Sequence, residues 1–552
     1  MKKKWSTSLL CLLMLLSLVA TGCNFSGDKG SSSAPGGTAP AADGQQAKKE
    51  SVINLSFENE IKDLNQFSTS DNISFSVLNN VSEGLYRLDE KHEPQPALAK
   101  GVEVSPDGLT YTFTLRDGIK WSNGDPITAA DFKFAWLGAM NPQTSKGGYA
   151  FILSDYIKGG AEYASGKGSA DAVAIDAKDD KTLVVTLNQP TPYFLRLTTF
   201  ILYFPLNEKF VTEKGADYAL KPENMLYAGP YKLTSFDPAS GATLVKNENY
   251  WDNANVKVEK INLKVIKEQS TALNAYKAGE LDRVMLSSAD VDTFKNDPEY
   301  TTDIEFRTNY IQFNTKGEGT SNLNIRKALQ LAYDATILEQ VILNNGSKAA
   351  TGMIPVQMSG VDHKSFRDLQ GDLIKADAAK AKEYWEQGVK ELGKAPQLKL
   401  LVPDDSLSKD LGTFLQSEYK KNLGIDVTVE TKTVKARNQQ MDEGNYQFGV
   451  TGWGADYDDA MTYLDLWANH TPYRGNYENP KYDELIASAK KEVDETKRIN
   501  MLLEAEKILL AEDAVVSPLF YRGNSFLQKP HVKNLIFHPY GSPVEYKYAT
   551  VE

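Results

Sequence analysis

The stretch GWGADYDDAMTYLDLW, residues 452–467, sets four aspartates among two tryptophans and two tyrosines. Acidic groups in an aromatic setting can do one of three things. They can ligate a metal, supply a catalytic carboxylate, or hold a cationic ligand. A calcium loop places oxygen ligands at alternate positions and glycine at the sixth. Counted from Asp456, the fifth and sixth positions are Ala460 and Met461, so no metal is expected. A glycosidase pair needs a defined carboxylate separation that sequence does not give, and nothing else in the chain suggests a hydrolase. The cation pocket fits best. A buried carboxylate is costly unless paired, and a ligand ammonium can be the partner through charge-assisted hydrogen bonds. Gly452 and Gly454 lack a Cβ and would let a ligand backbone come close. Asp458 or Asp459 suits the cap of the helix expected at 459–467, and Asp465 its solvated face.

Other chemistry is missing from the sequence. None of the five histidines (92, 363, 470, 531 and 538) forms an HExxH pair, and no G-x-S-x-G elbow occurs. GGAEYASGKGS, residues 159–169, has the wrong glycine spacing for a phosphate loop, and Gly168 stands where Ser or Thr is required. It reads as a surface loop. An enzyme here would have to rely on carboxylates or on an unrecognised constellation, and no cofactor is expected.

The elements that position the 452–467 stretch are mixed α/β. Leu109, Tyr111, Phe113 and Leu115 alternate with polar residues after the turn pair Asp107-Gly108, which predicts a half-buried strand. Leu183, Val185 and Leu187 predict another. Thr128 and Asp131 are spaced as a capping box and start a helix. NIRKALQLAYDATILEQVI places Ile325, Leu329, Ala332, Tyr333 and Ile337 on one helical face. ETKRINMLLEAEKILLAED predicts a further helix. No internal repeat is present.

The N-terminus has the order of a secretory signal: Lys2, Lys3 and Lys4, an apolar run from Leu9 to Val19, then small residues before Cys23. Val19-Ala20-Thr21-Gly22-Cys23 resembles a bacterial lipobox, with Ala20 departing from its usual larger aliphatic residue. The resemblance implies removal of 1–22 and lipidation of Cys23. The other cysteine, Cys11, lies in the leader, so the mature chain can form no internal disulfide. Residues 23–50 are rich in Gly, Ser, Ala and Pro and are expected to be a flexible tether. The remaining 500 or so residues are enough for two or three domains. The net charge of −12 becomes more negative when the three leader lysines are lost, which argues against a nucleic-acid partner.

AKGVEVSPDGLTYTFTLRDGIKWSNGDPITAADFKFAW, residues 99–136, resembles the signature of the solute-binding proteins of peptide ABC transporters. Further pieces follow in that family's order: Tyr227-Ala-Gly-Pro-Tyr231, Asn249-Tyr250-Trp251-Asp252, Phe313-Asn314-Thr315, Ile325-Arg326-Lys327-Ala328-Leu329, GWGADY and PLFYRGNSFLQKPHVKNL. The resemblance implies a bilobal, type II periplasmic-binding-protein-like α/β fold with an extra small domain. Lobe I would comprise 51–82, 206–308 and 523–552, the extra domain 83–205, and the other lobe 309–522. It implies a monomer, tethered to the membrane by its lipid, that captures oligopeptides and hands them to an ABC permease. Asp456 would bind the peptide's amino terminus. Trp453 and Tyr457 would line side-chain pockets, and Ser70, Asn72 and Tyr149 would contribute from the facing side. Where oligopeptide-binding relatives place Arg or His for the peptide carboxylate, this chain has Val450 and Ser408, with Lys409 a neighbour. The group meeting the carboxyl end is thus left open. Two alternatives differ in kind. One is a family member binding a pheromone, a cell-wall fragment, a nickel chelate or a sugar. The other is a secreted carboxylate-dependent hydrolase. The lack of a His cluster argues against the chelate, and Asp456 against a neutral sugar.

Overall fold

The computed structural model describes residues 51–145 and 149–552. The signal sequence, Cys23 and the tether all lie outside the described residues. Among the described residues no helix is long and apolar enough to cross a membrane.

Three main sheets organise the chain. In the first, Val52–Phe57 runs parallel to Lys260–Val265, which pairs antiparallel with Gly241–Lys246 and through it with Tyr231–Asp237. The second is a four-stranded antiparallel sheet in the order Ala99–Val104, Thr110–Leu115, Thr182–Thr186, Ile175–Asp179. Here the period-two pattern does what it predicts: Tyr111, Phe113 and Leu115 are buried, as are Leu183 and Val185. Phe113 lies opposite Leu183. Helix Ala129–Met140 covers this sheet, and the Thr128 N–H donates to the Asp131 carboxylate over 2.7 Å as the capping box requires.

The third sheet is the largest, and two long strands run through it. Tyr300–Phe313 pairs antiparallel with Val516–Gln528 on one side and Phe448–Gly454 on the other. Leu398–Pro403 and Val427–Lys432 continue the sheet, and Arg283–Met285 closes its far edge. The two long strands join separate cores. At one end Leu527 packs with Leu273, Tyr276 and Val284. At the other Ile311, Phe313, Leu519 and Phe520 pack with Leu329, Leu400 and Phe448. Between those ends the pairing breaks: Ile304 faces Gly523, but the next partners are Thr308 and Tyr521. A break of this kind bends a strand and re-aims its side chains.

Two segments depart from their expected form. The pattern after Ile325 is interrupted: Leu323–Leu331 is helical, and a second helix begins at Ala335 and widens into a π-helix over Leu338–Leu343. Asp334 is the cause, since its side chain accepts from Thr336 N at 2.9 Å and caps a new start. Tyr333 meanwhile is held away by bonds from its hydroxyl to Ser517 and Pro518. The GGAEYASGKGS segment, expected as loop, holds a helical turn over Gly160–Ala164.

Candidate functional site

Strand Phe448–Gly454 ends where its sequence turns acidic, and the chain there meets a cavity of about 600 Å³. The walls come from distant segments: the end of the first strand, the N-terminal turn of helix Asn72–Val81, the broken stretch 304–307, residues 452–456, and the C-terminal run 537–546. Glu58, Arg283, Asp303, Glu305, Arg307 and Asp456 bring charge to it.

Most of those charges are already answered. Glu58 accepts from Gln269 Nε2 at 2.7 Å. Arg283 is paired with Asp303 and sandwiched by Phe526 and Phe537, each ring centroid 3.9 Å from Cζ. Glu305 accepts from Asn524 at 2.6 Å and lies 3.5 Å from Arg522. Asp456 is different. Burial alone pushes its carboxyl up to about 7, and no described cation or donor pulls it back. Tyr149 stands close by, with its phenol pushed up to about 12 by burial and then by the Asp456 charge.

The four aspartates of the stretch divide by their partners. Asp458 is buried; it accepts from Ser359 N at 2.8 Å and Ser359 Oγ at 2.6 Å and faces Arg196 at 3.3 Å. Asp459 receives both Arg498 terminal nitrogens at 2.7 Å and the Met461 N–H at 2.9 Å. Of the two residues suggested as a helix cap, Asp459 thus bonds the first turn of Met461–Leu464, while Asp458 ties separate segments together. Asp465, expected on a solvated face, is paired with Lys490 at 2.5 Å.

Of the residues singled out in the sequence, Asn72, Tyr149, Gly452, Trp453, Gly454 and Asp456 all border the cavity. Tyr149 packs edge-on against Phe75 at 5.5 Å. Two do not join them. Tyr457 is buried with its ring stacked on Tyr193 at 4.7 Å and 5° and its hydroxyl accepting from that of Tyr156 at 3.3 Å, contacts that hold it away from the cavity. Ser70 is exposed just ahead of the Asp71 cap of helix Asn72–Val81 and is absent from the lining. Val450 is core, Ser408 donates to Asp405 at 2.7 Å, and Lys409 is exposed; none of the three lines the cavity.

Sequence reasoning passed over Arg307. This residue pairs across the sheet with Gly454, and its guanidinium fills the room left by the glycines: a Cβ at Gly452 would come within 3.4 Å of one terminal nitrogen, and at Gly454 within 3.8 Å of the other. Its Nε is buried without a partner, and burial, with Arg522 nearby, holds the group below its usual range. The signal was in the pattern of FRTNYIQF. Arg307 shares its alternation with the core residues Ile311 and Phe313, and a cation on such a face has to be accounted for.

A model of the bacterial extracellular solute-binding proteins, family 5, matches residues 93–475. The chain belongs to that family. As a family-5 solute-binding protein it is a carrier component of transport and not an enzyme. It is 34% identical over 550 residues to the oligopeptide-binding protein OppA of Bacillus subtilis, with 97% of each chain covered. Among solved structures it resembles the substrate-binding domain of an oligopeptide ABC transporter from Bacillus anthracis, with a TM-score of 0.75 and 37% identity over 91% of this chain and 99% of that one. OppA of Listeria monocytogenes bound to peptide gives a TM-score of 0.75 and 36% identity over 91% and 99%. These relatives carry the type II periplasmic-binding-protein architecture, and the mixed α/β fold here is the same.

Proposed function

We propose that this protein captures peptides outside the cytoplasm and delivers them to an ABC importer. The observation that carries the proposal is Asp456, an acid on the cavity wall with no partner of its own. A peptide's α-ammonium supplies the charge and the donors it lacks. The bordering strand end at Gly452 and Gly454 suits a ligand whose backbone lies alongside, since main-chain pairing gives affinity independent of side-chain sequence. The relatives' peptide-binding names favour the same cargo.

The division into a lobe of 51–82, 206–308 and 523–552, an extra domain of 83–205 and a lobe of 309–522 belongs to this reading. The break in strand pairing between Ile304–Gly523 and Thr308–Tyr521 supports it, because the proposed boundaries fall on the two crossing strands there. In the same reading Cys23 carries a lipid, residues 24–50 form the tether, and the carrier works as a monomer.

Incubation with a defined peptide mixture, followed by mass spectrometry of intact complexes and of supernatant, tests the proposal. It predicts stoichiometric retention of uncleaved peptides. Cleavage products, or retention of a non-peptide solute only, would overturn it.

A further inference from the structure

The carboxylate of Asp456 has no partner, yet its backbone is fixed from both directions along the chain. On the near side the Ala455 N–H donates to the Phe306 carbonyl over 2.7 Å, and the Asp456 N–H donates to Thr462 Oγ1 over 3.2 Å. On the far side come three residues whose side chains are all held. Tyr457 lies flat on Tyr193, and its hydroxyl accepts from Tyr156 at 3.3 Å. Asp458 faces Arg196 at 3.3 Å, and Arg196 is itself fastened to Glu93 at 2.9 Å. Asp459 is paired with Arg498, whose Cζ lies 5.2 Å from the Tyr193 ring centroid. The grip therefore comes from one short stretch. Tyr193 and Arg196 are three residues apart around the helical turn Phe194–Leu197, a spacing that turns both to one side. That turn lies in segment 83–205, the extra domain of the reading above. Tyr156, Tyr193 and Arg196 do not line the cavity, whereas Asp456 does.

We infer that Tyr193 and Arg196 are positioning residues for Asp456: the extra domain clasps the loop behind the acid and so holds its carboxylate toward the cavity. The inference rests on the peptide reading for what the acid receives, and adds a role in recognition for a segment that does not itself touch the ligand. A hydrogen bond weakens steeply when misaligned, and a binding group has to be held within about 0.5 Å of its productive place by neighbours that are themselves locked. A stacked ring and a buried ion pair on the two residues next to Asp456 meet that need. The side chain of Asp458 is 5% exposed and that of Arg196 19%, so water screens the pair little.

The test measures the affinity of Ala-Ala-Ala and of its N-acetyl form by calorimetry, on the full chain and on Arg196→Met, Arg196→Lys and Tyr193→Leu. Arg196→Met and Tyr193→Leu are expected to weaken the free peptide by roughly tenfold, the low end of what one hydrogen bond to a charged group contributes. The acetylated peptide, which offers Asp456 no ammonium, should bind all four proteins alike, and Arg196→Lys should recover part of the loss. Should Arg196→Met not fold, Tyr193→Leu strands no charge and carries the same comparison. A clasp that serves stability alone would lower the melting temperature and weaken both peptides equally or neither, and either result would overturn the inference. A second readout needs no peptide. Replacing Asp456 by Asn removes a buried, unpaired carboxylate and should raise the melting temperature at pH 8. With the clasp broken by Tyr193→Leu the acid reaches water, and that gain should shrink; an undiminished gain would overturn the inference. Failure of Ala-Ala-Ala to bind the unaltered protein, with the gain lost in Tyr193→Leu, would overturn the peptide reading and leave the clasp standing.

Discussion

At the residue scale, Asp456 is an acid held near pH 7 by burial, and a proton is therefore the competitor of the ligand. Its pKa is raised in the folded, empty protein, so at pH 6 the carboxyl is mostly protonated and must release that proton when an ammonium binds. Affinity for a free peptide is expected to rise with pH toward about 7, by up to ~10-fold per unit, and to fall above about 8 as the α-amino group itself deprotonates. Calorimetry at pH 6 in buffers of different ionisation enthalpy should show close to one proton released, and Asp456→Asn should show none. The same shift has a sign for stability. An acid whose folded pKa lies above its unfolded value of 3.8 favours the fold below 3.8 and loses that contribution as pH rises through 7. The empty Asp456→Asn protein should therefore melt higher than the unaltered one at pH 8, by roughly 2–4 °C, and match it at pH 4. An unchanged or lower melting temperature at pH 8 would show that Asp456 is already stabilised by the protein.

At the scale of elements, the site is a strand end meeting a broken strand, and the glycines make the junction. A Cβ at Gly454 has 3.8 Å of clearance, so Gly454→Ala should leave the melting temperature unchanged while crowding a ligand backbone, at about 1–3 kcal/mol of affinity. Retained affinity would place the ligand elsewhere. Behind the strand, Arg196 joins Asp458 and Glu93, and Ser359 completes the set. Arg196→Met strands Asp458 in a buried place and should cost about 3–5 kcal/mol of stability, measured by denaturant unfolding. How far these elements could be read beforehand follows from what fixes each. The strands at 110–115 and 182–186 were legible because one face is buried and one is not. The break at Ala332–Asp334 was not, because a local cap and a tertiary pull on Tyr333 outweigh a continuous apolar face. Asp456, Gly452 and Gly454 stood out as a local motif. Arg307 did not, because its exposure to the cavity depends on a lapse in pairing with a strand more than 200 residues away.

At the scale of the whole molecule, long antiparallel strands run between separate cores, the largest of which reaches them at Phe306, Tyr310 and Val516, and the cavity lies where their pairing lapses. Such a place gives a ligand walls from several segments at once, and an unpaired charge on one wall gives it a reason to stay. The central claim is that the missing partner of Asp456 is a peptide's own amino terminus. The most direct measurement is a calorimetric cycle of a free tripeptide and its N-acetyl form against the unaltered protein and Asp456→Asn. Acetylation is predicted to cost about 2–5 kcal/mol in the unaltered protein and close to nothing in the variant. Equal affinity of the unaltered protein for the free and the acetylated peptide would contradict the account.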